Sequence, residues 1–203
     1  MSQIIRKRKP GEPKIKHNGE PKIHSKGKIG AIVKYPMLVD KGEGYGEMTF
    51  EKFSRPPGTR TIAIKDEKIF LQKERRFELD SFDWRLPGGK VFDSFEEYEP
   101  YINKSVPEKD IIAGAKSELK EESEMEAEEW QVIEKKVCGS TVDWDLYYLT
   151  AENITENIDI EHTEAEEITE RKWFSFEQVE EMCREGEIQE GRSVAVLLNF
   201  FRK

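Results

Sequence analysis

Apolar residues first become dense at 29–39, a stretch that predicts a strand. The three glycines of 41–47 predict a turn, 48–53 alternates weakly, and Arg55-Pro-Pro-Gly58 interrupts the chain again. Runs at 59–65 and 68–73, separated by Asp66-Glu67, predict a β-hairpin. Residues 93–109 show no clear period, but Ser105-Val-Pro-Glu108 has the form of a helix capping box with proline in the first turn. From there to about 122, Ile111, Ala115 and Leu119 recur every fourth position and predict a helix with one apolar stripe. Runs at 131–137 and 141–150 around Gly139-Ser140 predict a second hairpin. Residues 151–170 hold eight acids and neither Lys nor Arg, and read as an exposed loop. Ser175-Phe-Glu-Gln178 opens a helix that stops at Gly186, and about 192–201, rich in Val, Leu and Phe, predicts a last helix.

A chain of 203 residues suits one domain with extensions. Apolar residues are 36% and charged residues 37%, which predicts long solvated segments, while 11 Phe and 4 Trp exclude a wholly disordered chain. No apolar run approaches the roughly 20 residues of a membrane span, and the N-terminal stretch has no apolar signal core. Cys138 and Cys183 stand far apart without a CxxC partner, which excludes a disulfide framework and a cysteine zinc site and sets a reducing, cytoplasmic location as the expectation. The net charge of -9 is uneven: residues 1–28 carry nine Lys/Arg against Glu12 and Glu20, and the rest carries 24 basic against 40 acidic residues. Residues 1–28 therefore read as a basic flexible tail. The acidic body disfavours nucleic acid as the main partner, since phosphate repels it, and suits a protein that collects divalent cations.

The densest chemistry lies in Glu118-Leu-Lys-Glu121-Glu122 on the predicted helix. At about 100° per residue, Glu118 and Glu122 stand about 40° apart on one face, and Glu121 flanks Glu118 at about 60° on its other side. Three such carboxylates repel one another, and a hard cation would relieve that repulsion. Mg²⁺ and Mn²⁺ take oxygen ligands, Mg²⁺ usually with one or two carboxylates plus phosphate oxygens and water. The same string also suits a solvated acidic helix.

Ahead of that helix stands Leu86-Pro-Gly-Gly-Lys90, and the two motifs together resemble the Nudix hydrolases. The family's box, G-x5-E-x7-R-E-U-x-E-E-x-G-U with U aliphatic, is matched at Glu118, Leu119, Glu121, Glu122 and Met125, and LPGGK is intact. Arg60–Arg76 looks like the family's opening hairpin, and Trp173-Phe174-Ser175 like its closing strand and helix start. The similarity extends over about 29–203 and is weak outside the two motif halves. About fifteen extra residues separate Lys90 from the helix; the first box Glu falls at Lys109, the box Arg at Ser117 and the box Gly at Glu124. Under the resemblance, Glu108 or Asp110 with Lys116 would substitute locally for the family's Glu–Arg ion pair.

The resemblance implies an α+β Nudix fold, a mixed β-sheet sandwiched between α-helices. It also implies a Mg²⁺- or Mn²⁺-dependent pyrophosphohydrolase acting on ADP-ribose or a nucleotide sugar, with the metal on Glu118, Glu121, Glu122 and the Gly88 carbonyl. Members that cleave ADP-ribose take their base from an acidic loop before the last strand, which here gives Glu164 first and Glu166 or Glu167 second, with Glu121 the candidate should the loop acids fail. Arg75 occupies the place of a substrate-phosphate arginine. Strands within 29–58 resemble the portion used to pair subunits, so a homodimer is expected, with 91–109 an insertion before the box helix. Trp84, Trp144 and Trp173 read as core aromatics. Two rivals remain: a non-catalytic nucleotide-sensing Nudix-like domain, and an RNA-directed protein such as a 5′-end pyrophosphohydrolase using the basic segment.

Overall fold

A computed structural model describes residues 4–77, 80–156 and 168–202. The chain divides into two compact units, one of residues 1–56, 93–105 and 138–144, the other of 57–92, 106–137 and 145–203.

The first unit corrects the reading of residues 1–28 as a flexible tail. Strands β1 (Ile4–Arg6), β2 (Ile15–His17) and β3 (Lys22–Lys26) add to a hairpin of β4 (Ala31–Asp40) and β5 (Tyr45–Ser54), with the two-residue β10 (Val142–Asp143) parallel to β5. The added strands are only three to five residues long. β2 and β3 each set one isoleucine among basic and polar residues and β1 is Ile-Ile-Arg, all too short for a period of two to show. Its backbone pairing with β4 and β5 holds the segment, as does the Tyr45 hydroxyl donating to the Pro13 carbonyl. Alternate β4 residues Ala31, Val33 and Tyr35 bury against Phe95 of the short helix α1 (Phe95–Tyr98) and against Ile102.

The second unit is a mixed sheet in the order β12-β7-β6-β11-β9, with β8 also on β7. Its strands are β6 (Gly58–Lys65), β7 (Lys68–Arg76), β8 (Ser81–Arg85), β9 (Met125–Lys136), β11 (Leu146–Glu156) and β12 (Ile168–Ser175). β6 and β11 run parallel; the other pairs are antiparallel. The predicted hairpin turns at Asp66 and Glu67, both in the left-handed region that a two-residue turn between twisted strands requires. Residues 151–156, read from composition as exposed loop, instead continue β11 by pairing with β9.

Helix α2 (Glu108–Ser123) lays Leu119 on Ala63, Phe70, Met125 and Ala151. Its N-cap is Pro107 and no side chain caps it, so Ser105 does not play the expected part. Helices α3 (Phe176–Glu185) and α4 (Gly191–Phe200) follow; α3 has the complete Ser175/Gln178 capping box and ends on Gly186 in the left-handed region. Arg60 and Ala63, three apart in β6, point to opposite faces. Ala63 meets α2, whereas Arg60 meets the α4 N-cap residue Glu190, so the sheet lies between helices. Trp84 is buried against Phe174 and Trp173 packs edge-on to Phe70, as core aromatics do. Among the described residues no helix is long and apolar enough to cross a membrane.

Candidate active site

The LPGGK loop leaves β8 and runs back along β6. Thr61 N–H donates to the Pro87 carbonyl at 2.8 Å, and Thr59 N–H to the Gly89 carbonyl at 2.9 Å. Those bonds turn the intervening amides outward to the helix. Gly88 N–H donates to Glu122 Oε2 at 2.9 Å and Lys90 N–H to Glu118 Oε1 at 2.8 Å. The two motif halves therefore meet through backbone donors and carboxylate acceptors. The glycines serve different ends. Gly88, at φ 142°, lies so close to the Thr59 carbonyl that a Cβ would overlap it, and a Cβ on Gly89 would occupy the place of the Glu118 carboxylate.

Burial pushes the Glu118 carboxyl above its ordinary value and takes Glu122 up to about 7. Glu122 Oε2 also accepts from Gln72 Nε2 at 2.9 Å, and Gln72 donates to Glu74 at 3.1 Å. Glu121 sits apart: it is exposed and accepts from Ser117 Oγ at 2.9 Å. Ser117, at the box-arginine position, thus bonds within its own helix. Lys116 lies over the Trp130 ring at 6.0 Å. At the box-glycine position Glu124 takes the left-handed conformation a glycine would, with φ 57°, so the turn after the helix is kept without the glycine.

Behind the loop runs an ion network that has no sequence signature. Arg60 donates to Glu190 at 2.8 Å and to the Gly88 carbonyl at 2.6 Å, and Arg85 reaches Glu190 at 2.6 Å. Burial alone would raise Glu190, but Arg60 and Arg85 outweigh it and hold the carboxyl down at about 2. Glu190 also accepts from Ser193 Oγ, which is bonded to the buried Tyr148 hydroxyl. The Gly88 carbonyl, expected to face a cation, faces a guanidinium instead. A positive group already on that oxygen makes it a poor metal ligand.

Arg75 is also placed differently from the expectation. Alternation along β7 puts Gln72, Glu74 and Arg76 on the face toward Glu122 and turns Arg75 away, its guanidinium over the exposed Phe77 ring at 5.2 Å. Glu164, Glu166 and Glu167 lie outside the described residues.

The donor chemistry suits a hard divalent cation: carboxylate oxygens on one helix turn, two of them half-buried and oriented by backbone amides, with Gly89 leaving room for one. Convergence does not extend to Glu121, and among the described residues no group of three or more His, Cys, Asp or Glu is arranged to hold a metal ion.

No family model matches the chain, and no curated protein matches it by sequence. By structure it is similar to an ADP compounds hydrolase, with a TM-score of 0.66 over 94% of each chain at 15% identity. At that identity the likeness shows the fold alone, a mixed α+β architecture.

Proposed function

We propose that the protein is a divalent-metal-dependent hydrolase that cleaves the pyrophosphate bond of a nucleoside diphosphate linked to a second group, ADP-ribose or a nucleotide sugar. The observation that carries this reading is the meeting of Gly88 and Lys90 amides with the half-buried carboxylates of Glu122 and Glu118. It joins two motifs 28 residues or more apart in the chain into one anionic site. The solved structure of similar fold is an ADP compounds hydrolase, which supports the same substrate class.

Glu118 and Glu122, joined by Glu121, would hold Mg²⁺ or Mn²⁺. Such an ion, when bound, offsets diphosphate charge and lowers the pKa of a coordinated water. The chain's own contribution is orientation and charge control. Backbone N–H groups fix the two carboxylates without a flexible partner. Burial keeps Glu122 near its titration point at neutral pH, so it gives up its proton when a cation arrives. Water attack on a phosphorus of the anhydride breaks one P–O bond and yields two phosphate monoesters. We assign the base that takes the water's proton to Glu164, with Glu166 and Glu167 as alternates. The strands within 29–58, on which Met48 and Phe50 are exposed, are proposed to pair two copies.

A second reading, a nucleotide-sensing domain without turnover, is favoured by one observation: Glu121 is bonded to Ser117 rather than gathered with Glu118 and Glu122. Incubation with nucleoside diphosphate compounds and Mg²⁺ separates the two, since a hydrolase releases monoesters and a sensor only binds.

A further inference from the structure

The geometry points to Arg171 as a substrate-binding residue that receives a phosphate oxygen of the pyrophosphate, an inference that rests on the hydrolase reading. Arg171 lies on β12 directly opposite Gln72 of β7, so the two side chains share the face that carries Glu122. Its Nε donates to the Glu122 backbone carbonyl at 2.9 Å, which ties the guanidinium to the last turn of α2.

The arginines of this region are not equivalent. Arg60 and Arg85 both spend their charge on Glu190, and Arg76 lies by Glu74. Arg171 is anchored by a neutral carbonyl, so its charge is not offset by the group that positions it. Its Nη2 is buried with no hydrogen-bond partner. A buried guanidinium N–H without an acceptor is costly and persists where a ligand completes it. That unsatisfied donor, beside the carboxylates of α2, marks a place built for an acceptor oxygen.

A diphosphate fits that place. The acids Glu74, Glu118 and Glu122 would repel it, and Arg171 supplies a fixed cation on their flank. Arginine suits the task because its guanidinium can hold the Glu122 carbonyl through Nε and still present Nη2 to an oxyanion.

The test uses the full chain and two ligands. Inorganic pyrophosphate and ADP-ribose are titrated calorimetrically in EDTA against the wild type, Arg171→Gln and Arg171→Lys, and KM and kcat are measured for ADP-ribose with Mg²⁺. Losing one charge-assisted hydrogen bond should weaken pyrophosphate binding and raise KM by about 10- to 100-fold in Arg171→Gln, with a smaller loss in Arg171→Lys and kcat changed a few-fold at most. A wild type that binds pyrophosphate through Arg171 but leaves ADP-ribose intact keeps the anion site and overturns the substrate reading alone. Wild-type affinity in both variants, with only a lowered Tm, would show that Arg171 caps α2 and that an internal water completes Nη2. A wild type that binds neither ligand also overturns the assignment.

Discussion

Replacing each glycine of the Gly88-Gly89 pair by alanine should separate folding from function. At Gly88 the added Cβ would fall inside 3.0 Å of the Thr59 carbonyl, and the backbone sits at φ 142°, which side chains rarely adopt. Overpacking costs about 1–3 kcal/mol and the strained backbone about 1–3 kcal/mol. The sum, about 2–6 kcal/mol, is a large share of the ~5–15 kcal/mol that holds a domain together. At ~2–4 °C per kcal/mol, Gly88→Ala should lower Tm by roughly 5–20 °C. At Gly89 the three atoms nearest the Cβ all belong to the Glu118 carboxylate, the free end of a flexible side chain. Glu118 can swing into water, losing one exposed hydrogen bond from Lys90 N–H, about 0.5–1.5 kcal/mol, offset by about 0.4–1 kcal/mol from the stiffer unfolded chain. Gly89→Ala should therefore unfold within ~4 °C of the wild type. It should nonetheless lose about 10- to 100-fold in metal affinity, as sites do when the hydrogen bond that orients a ligand is removed. Thermal unfolding and Mn²⁺ titration of both variants decide the matter. Gly89→Ala with wild-type Mn²⁺ affinity, or as destabilised as Gly88→Ala, would refute the placement of Glu118.

Other perturbations follow from single groups. Because Glu122 keeps its proton to about 7 when folded, against 4.5 ordinarily, the folded state binds more protons between those values and loses stability as pH rises through them. In metal-free solution Glu122→Gln should thus be more stable than the wild type by on the order of 3 kcal/mol at pH 8, with the advantage gone below pH ~4; chemical denaturation at both pH values measures it. Glu124→Gly, relieving a left-handed residue at φ 57°, should stabilise the protein by about 0.5–1 kcal/mol in the same assay. Glu164→Gln should lower kcat strongly with little change in KM, while Glu166→Gln and Glu167→Gln serve as controls; three active variants would move the base to Glu121. Removing residues 1–28 strips β1, β2 and β3 from β4 and β5 and should increase amide exchange in β4, which hydrogen-exchange mass spectrometry would detect.

The parts legible in the sequence are those with local signals. The Asp66-Glu67 hairpin, the Leu119 stripe of α2, the α3 capping box and the meeting of LPGGK with the acidic helix all rest on residues close in the chain or on a familiar pair of motifs. What escaped is non-local. Arg60 and Glu190 are 130 positions apart, so no window contains their ion pair or shows that Arg60 claims the Gly88 carbonyl. Arg75 and Arg76 differ by one step of a two-residue period, and only the pairing of β7 fixes which of them faces Glu122. The basic composition of residues 1–28 hides strands whose stability comes from pairing to β4 and β5 rather than from their own apolar content. The turn at Glu124 holds for a related reason: α2 is packed on the sheet and Arg171 donates to its last turn, so the glycine's freedom is dispensable.

The most direct test of the hydrolase reading is phosphate release from ADP-ribose, coupled to a phosphatase that attacks monoesters but not the anhydride, with Mg²⁺ or EDTA, for the wild type and Glu122→Gln. The predicted result is Mg²⁺-dependent release by the wild type, none in EDTA, and a loss of orders of magnitude in a Glu122→Gln protein that remains folded by circular dichroism. Equal release by both proteins in EDTA would contradict it.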